Sequence, residues 1–218
     1  MVKRLLVASL ILILGLSVFV YAWAGEASVT IDKGWNLVYG FMSPDQLDGQ
    51  VLEKSNIKAI YGFVPTTQQY VRMYPNPNTA VLNNLEGEPF DFEQDFSQTG
   101  FWVYSDKAER TKYWLNNVPV SLDKIKLYKG WNFVGITPKF QGYSFNQIKG
   151  NCNVLKVYTY SESEGGWLNT ENYPNSLNDE RALGEAASQM RGLVVKVSNN
   201  CNFGVSSGGI SAPPAIPS

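Results

Sequence analysis

Apolar and polar residues alternate along the segment that follows the N-terminal apolar run. From residue 29 onward, Ile31, Trp35, Leu37 and Tyr39 occupy odd positions, and the even positions from 30 to 36 are polar or small. A period of two with one apolar face is typical of a half-buried β-strand. The pattern predicts a strand here and places Trp35 in the core, on the same face as Leu37.

The same pattern returns in the second half of the chain, within a repeated sequence. Residues 33–38 read KGWNLV and residues 129–134 read KGWNFV, with the apolar residues in the same phase. Three further pairs of segments match in the same order: 56–61 with 153–158, 74–76 with 173–175, and 100–103 with 192–195. Because their order is preserved, these matches predict an internal duplication. We assign residues 25–118 to the first copy and residues 119–206 to the second.

Each copy carries the signals of several strands and of one short helix. The segment 43–52 begins with Ser-Pro-Asp, which is typical of a helix N-terminus, and 144–148 is its shorter counterpart. A proline- and asparagine-rich loop is predicted after Tyr74, and the Lys-Gly step before each repeated tryptophan predicts a turn or bulge. The predicted fold class is mainly β (α+β), with two tandem small β-rich domains and a short helix after the first strand of each.

The N-terminus has the pattern of an export signal. Lys3 and Arg4 precede an uncharged apolar run over residues 5–20, and residues 22–24 read Ala-Trp-Ala. This order is typical of a secretory signal peptide, here residues 1–24, cleaved after Ala24. An uncleaved N-terminal anchor is the alternative, since a run of this length could span a bilayer of about 30 Å. In both cases the rest of the chain is expected outside the cell, either secreted or at the cell surface.

The two cysteines and the C-terminal composition agree with export. Cys152 and Cys201 are the only cysteines of the chain, and in an oxidising compartment such a pair is usually a structural disulfide. The bridge would close a loop of about 50 residues. The chain-entropy relation predicts that this closure stabilises the folded state by about 4 kcal/mol. Residues 207–218 are rich in Gly, Ser and Pro and predict a flexible tail.

Charge and residue usage exclude several classes of function. Removal of Lys3 and Arg4 with the leader takes the formal net charge from −1 to −3, so no basic surface is expected for nucleic acid. The chain has no histidine, which removes the commonest general base and the commonest metal ligand. We therefore expect no catalytic residues, no metal and no cofactor. A glycoside hydrolase that uses two carboxylates remains an alternative, although nothing in the sequence singles out such a pair.

One run of alternating carboxylates could bind a calcium ion, which needs several oxygen ligands. Asp91, Glu93 and Asp95 alternate with Phe92 and Gln94. The run lacks the glycine and the distal glutamate of the calcium-loop signature. A solvated strand face or loop is the favoured interpretation.

The repeated segments resemble a recurrent module of secreted and cell-surface proteins in bacteria and archaea. Its pattern is G-W-N-L-[IV], then an aromatic strand, a W-x-x-Y-like segment and a G-[YF]-W-[VI] strand. Residues 34–38 and 100–103 match it in the first copy. In the second copy 130–134 match, but 192–195 lack the aromatic residues. The resemblance covers nearly the whole mature chain, and it implies an accessory extracellular module with no catalytic residues to carry over.

Exposed aromatic residues are the candidate ligand-binding groups. Trp167 follows a Glu-Gly-Gly sequence that predicts a hairpin turn. The corresponding position in the first copy is Tyr70, so the sequence gives no argument for one shared site, and Trp114 is a third candidate. The leading hypothesis is a non-catalytic structural or adhesive protein that acts through contacts with other surface proteins. The alternative is a carbohydrate-binding protein that stacks cell-wall polysaccharide on these aromatic rings.

Overall fold

The computed structural model of the chain describes residues 26–39, 55–84, 99–114, 122–136, 138–161, 166–169 and 191–204. The predicted signal peptide, the predicted helix at 43–52, the carboxylates Asp91, Glu93 and Asp95, and the predicted tail 207–218 lie outside these residues. Their assignments stay predictions.

The described residues of the first half form six strands and one helix. They are β1 (Glu26–Ile31), β2 (Gly34–Tyr39), β3 (Ile57–Val64), β4 (Gln69–Tyr74), α1 (Thr79–Asn84), β5 (Gly100–Ser105) and β6 (Glu109–Trp114). In the second half, the part of the chain that the structure describes forms six strands, one α-helix and two 3₁₀ turns. They are a turn at Leu122–Lys124, β7 (Lys126–Leu127), β8 (Gly130–Gly135), a turn at Pro138–Phe140, α2 (Phe145–Ile148), β9 (Val154–Ser161), β10 (Gly166–Asn169), β11 (Gly192–Val197) and β12 (Cys201–Asn202). The predicted mainly β fold class is confirmed.

Two four-stranded antiparallel sheets form the body of the protein. The strand order is β2-β5-β3-β4 in the first sheet and β8-β11-β9-β10 in the second. When strands are matched by their order along the chain, the two orders are the same. Two-stranded ribbons, β1–β6 and β7–β12, complete the described strands. The short helix predicted in the second half is present as α2, with the Ser144 N–H donating to Oε1 of Gln147 at 2.6 Å.

One local prediction is confirmed and one is wrong. The strand predicted from residue 29 is divided into β1 and β2 at the predicted Lys-Gly turn, where Gly34 takes a φ of 98° that L side chains rarely adopt. The loop predicted after Tyr74 contains the helix α1, which begins just after Asn78. Oδ1 of Asn78 accepts a hydrogen bond from the N–H of Val81 at 3.3 Å, so the asparagine that suggested a loop caps the start of a helix.

The repeated asparagines hold the turn before each tryptophan strand. Asn36 is buried, its Oδ1 accepts from the N–H of Asp32 at 2.8 Å, and its Nδ2 donates to the carbonyl of the same residue at 2.8 Å. Asn132 makes the same two bonds with Tyr128, both at 2.8 Å. Because the side chain satisfies a backbone donor and acceptor four residues earlier, it fixes the turn whose glycine has a positive φ.

The two sheets pack directly on each other. Leu37, Phe63, Phe133 and Val194 form a buried cluster to which both sheets contribute. Glycines allow the close approach: a Cβ at Gly135 would lie 2.0 Å from Cδ2 of Tyr39. An isolated antiparallel bridge between Val38 and Arg191 also joins the two halves. The described halves therefore share an apolar interface in addition to their own cores.

The predicted disulfide is present. Cys152 and Cys201 are bonded, with their Cα atoms 5.5 Å apart and a sequence separation of 49. The bond ties the start of β9 to β12, so it encloses most of the second sheet. Such a bond is compatible with an oxidising environment.

Candidate functional site

Three large aromatic side chains of the two sheets are exposed to solvent. Trp35 in β2 is 39% exposed, Tyr70 in β4 is 56% exposed and Trp167 in β10 is 49% exposed. All three line one groove between the sheets. Clustered exposed aromatic rings leave a large apolar area in water, which is a mark of a binding surface.

The first pocket of this groove is lined by aromatic side chains from both sheets. Its volume is about 380 Å³. The described lining residues are Trp35, Tyr61, Tyr70, Trp102, Tyr160 and Trp167. They come from β2, β3, β4, β5, β9 and β10, so the pocket exists only where the two sheets meet.

A second pocket continues the groove and shares Tyr70 and Trp167 with the first. Its volume is about 640 Å³. Its remaining described lining consists of aromatic, aliphatic, amide and cationic side chains: Phe63, Gln68, Trp131, Phe133, Lys156, Tyr158 and Val194. The aromatic groove, as we call the two pockets together, thus differs chemically from one end to the other.

The two pockets occupy equivalent positions in the two copies. Tyr70 lies opposite Phe63 in the first sheet, and Trp167 lies opposite Tyr160 in the second. By the same strand positions, all six described lining residues of the first pocket have counterparts in the second: Trp35 with Trp131, Tyr61 with Tyr158, Trp102 with Val194, Tyr160 with Phe63, Trp167 with Tyr70, and Tyr70 with Trp167. The two pockets therefore use matching strand positions of the two sheets, and the second pocket has Gln68, Phe133 and Lys156 in addition.

A continuous series of ring contacts connects the pockets. Ring centroids are separated by 6.1 Å from Trp35 to Trp102, by 5.5 Å from Trp102 to Trp167, by 5.9 Å from Trp167 to Tyr158, and by 6.2 Å from Tyr158 to Trp131. Tilted and edge-to-face contacts at these separations are favourable, each by about 0.5–1.5 kcal/mol. The contacts hold the rings in fixed orientations, so a ligand meets a surface that is already ordered.

Gln68 joins the two sheets beside the second pocket. It lies in the turn between β3 and β4, while β8 is an edge strand of the other sheet. Its Oε1 accepts from the N–H of Trp131 at 2.7 Å, and its Nε2 donates to the carbonyl of Trp131 at 2.9 Å. The amide group therefore forms hydrogen bonds with the backbone N–H and carbonyl of the edge strand, as a neighbouring strand would. These bonds fix the position of Trp131.

The described lining residues of both pockets suit stacking contacts with a ligand. The described lining of the first pocket offers only aromatic faces, tyrosine hydroxyls and indole N–H groups. No carboxylate is among the described lining residues of either pocket, whereas glycoside hydrolysis uses two. In the part of the chain that the structure describes, no group of three or more His, Cys, Asp or Glu side chains could hold a metal ion.

The structure describes some of the candidate residues predicted from the sequence and corrects the placement of one tryptophan. Trp167 and Tyr70 are exposed, and the structure brings them together in one groove, although they belong to different copies. The side chain of Trp114 lies outside the described residues. The placement of Trp35 in the core is wrong: it shares a face with Leu37 as predicted, but it lies at the open side of the inter-sheet interface.

Sequence reasoning missed Trp102, Tyr61 and Tyr160 as lining residues. Trp102 lies opposite Leu37, which shares its face with the exposed Trp35, and Tyr61 lies opposite Trp102. Tyr160 lies opposite the exposed Trp167. Alternation along β3 and β9 could have placed them on one face. Alternation within a strand could not show that this face of one sheet packs against the other sheet.

Comparisons with protein-family models, with curated proteins and with solved structures found no match. Among the described residues, no helix has the length and the hydrophobicity needed to cross a membrane.

Proposed function

We propose that this protein is a non-catalytic carbohydrate-binding protein of the cell exterior and that the aromatic groove is its binding surface. The observation that carries the proposal is the convergence of Trp35, Tyr70 and Trp167 in one solvent-exposed groove. A protein that used its tryptophans only as core would bury all of them. Sugar rings present C–H faces that stack on aromatic rings, and the rigid ring series offers several such faces in a row.

The exterior location rests on the predicted signal peptide together with the disulfide. A bond between Cys152 and Cys201 is compatible with an oxidising compartment. The resemblance to modules of secreted and cell-surface proteins points in the same direction. Retention through an uncleaved leader would place the same groove at the cell surface.

Adhesion through protein contacts is the second candidate. It is favoured by the apolar cluster of Leu37, Phe63, Phe133 and Val194 directly behind the rings. Aromatic residues backed by an apolar cluster are also common in protein–protein interfaces. The two candidates call for different ligands at the same groove, so one titration separates them.

The test is a titration of tryptophan fluorescence in the chain from Gly25 to Ser218 with soluble polysaccharides and cell-wall fragments. We expect a saturable spectral shift with at least one polysaccharide. Replacing Trp167 by Ala should weaken this binding about tenfold, because loss of one stacking ring removes about 1.5 kcal/mol.

Leu155→Ala is the matched control. Leu155 is 55% exposed in β9 and is not among the described lining residues of either pocket. Binding should be unchanged in this variant. A flat response of the unmodified protein to every polysaccharide would put protein adhesion in place of carbohydrate binding.

A further inference from the structure

Two lysines face each other across strands at the second pocket. Lys156 in β9 lies directly opposite Lys196 in β11. Lys156 lines the pocket, and Nζ of Lys196 lies 5.3 Å from the ring centroid of Trp131, which also lines it. Like charges directly opposite on one sheet face are destabilising. The repulsion between the two ammonium groups therefore weakens the pairing of β9 with β11.

Neither lysine has an acidic partner in the part of the chain that the structure describes. The cation–π contact with Trp131 stabilises Lys196 only in part, because it leaves the positive charge in place. Unfavourable local interactions that no neighbouring residue compensates are common at the ligand-binding sites of proteins. An anion at this position would remove the repulsion.

The equivalent pair in the first copy carries no charge. Ala59 in β3 lies opposite Tyr104 in β5, and these two occupy the positions of Lys156 and Lys196. Tyr104 contacts Trp35 with ring centroids 5.2 Å apart, as Lys196 contacts Trp131. The two pockets therefore match in their aromatic residues and differ in charge, which shows that the cationic character is specific to the second pocket.

We infer that the aromatic groove binds a linear acidic polysaccharide, with a sugar ring stacked in the first pocket and a carboxylate-bearing ring held by Lys156 and Lys196 in the second. This inference rests on the proposed carbohydrate-binding function and specifies its ligand class. The occupant follows from charge complementarity, since the described lining of the groove includes the cation Lys156 and no acid, and Lys196 lies beside it over the ring of Trp131. A chain that fills both pockets gains affinity over one that fills either alone.

The test compares two polymers with the same backbone, polygalacturonate and its fully methyl-esterified form. Binding to the chain from Gly25 to Ser218 is measured by tryptophan fluorescence and by calorimetry. We expect tighter binding of polygalacturonate, with a difference that shrinks as salt is raised. Lys156→Gln and Lys196→Gln should each weaken polygalacturonate binding about two- to fivefold and leave binding of the ester unchanged.

Lys124→Gln is the control for general charge effects. Lys124 is an exposed cation in the turn before β7 and does not line either pocket. Equal loss of binding in this variant would mean that diffuse attraction, and no defined site, accounts for the preference, and would overturn the inference.

The remaining outcomes separate this inference from the proposed function. Equal affinity for both polymers, with loss of both on Trp167→Ala, would overturn the acidic ligand while carbohydrate binding stands. Absence of binding to these and to all other polysaccharides tested would overturn both. Polygalacturonate binding that survives Trp167→Ala would show that the anion is held outside the aromatic groove, which also contradicts the inference.

Discussion

Each residue of the repeated Gly-Trp-Asn sequence has a separate role. Gly34 and Gly130 supply φ values of 98° and 102° at the turn. The asparagines satisfy backbone groups of the same turn. Trp35 and Trp131 carry no turn function and line the two pockets of the groove. Three consecutive residues thus combine local structure with the proposed binding surface, which explains why a structural motif appears at a candidate site.

Tyr39 shows how burial of one residue affects stability at high pH. The side chain is 2% exposed between the sheets, and desolvation raises its pKa from 10.0 to about 12. Above pH 10 the unfolded chain loses this proton while the folded protein keeps it, so folding stability falls as the pH rises toward 12.

We expect this titration to lower the free energy of unfolding by up to about 1.4 kcal/mol per pH unit above pH 10. Denaturant unfolding of the wild type and of Tyr39→Phe, at pH values below and above 10, measures the effect. The variant should lose stability less steeply above pH 10. Parallel curves for the two proteins would contradict the assignment to Tyr39.

At the scale of elements, the turn before each tryptophan strand depends on one buried amide. Nδ2 of Asn36 also donates to the carbonyl of Gly34 at 3.1 Å, and Nδ2 of Asn132 donates to that of Gly130 at 3.2 Å. The side chain therefore connects the turn to the strand that follows it. The two copies use the same bonds although the residues at the start of the turn, Asp32 and Tyr128, differ.

Removing either amide should destabilise the protein by a similar amount. Asn36→Ala and Asn132→Ala each leave a partly buried backbone N–H and carbonyl without their partner, which costs about 1–3 kcal/mol per variant. Chemical denaturation gives the value. Asn146→Ala is the control, because Asn146 is exposed on α2; it should change stability by less than about 0.5 kcal/mol. A loss below that level in both turn variants would show that water replaces the amide.

At the scale of the whole molecule, the groove depends on how closely the two sheets approach. Gly135 in the second sheet contacts the ring of Tyr39 in the first, and Gly192 contacts the side chain of Leu37. No Cβ fits at Gly135 without a shift of the buried tyrosine ring. The distance between the sheets, and with it the shape of both pockets, is therefore set by residues outside the groove.

Gly135→Ala should destabilise the protein by about 1–3 kcal/mol through overpacking and weaken carbohydrate binding at the same time. The midpoint of chemical denaturation and the fluorescence titration are measured on the same samples. Gly204→Ala is the control, because a Cβ there would meet nothing within 4 Å. Unchanged stability of Gly135→Ala would show that the sheets adjust without cost.

The sequence by itself determined the strand class, the disulfide and the exposed candidates Trp167 and Tyr70. These features are local, or they depend on residue types whose preferences are strong: period-two alternation in β2 and β8, a cysteine pair, and an aromatic residue beside a glycine turn. The helix α1 was missed because an asparagine allows more than one local structure, including a loop and the start of a helix.

Only the tertiary structure decided that Trp35 faces a groove and that Tyr70 and Trp167 share it. Alternation assigns a side chain to one face of its own sheet, but it does not say where that face lies relative to a second sheet. The meeting of the two sheets is set by contacts between residues that are far apart in sequence, such as Tyr39 with Gly135. The pairing of Lys156 with Lys196 is likewise a matter of strand register, which no periodicity within one strand can specify.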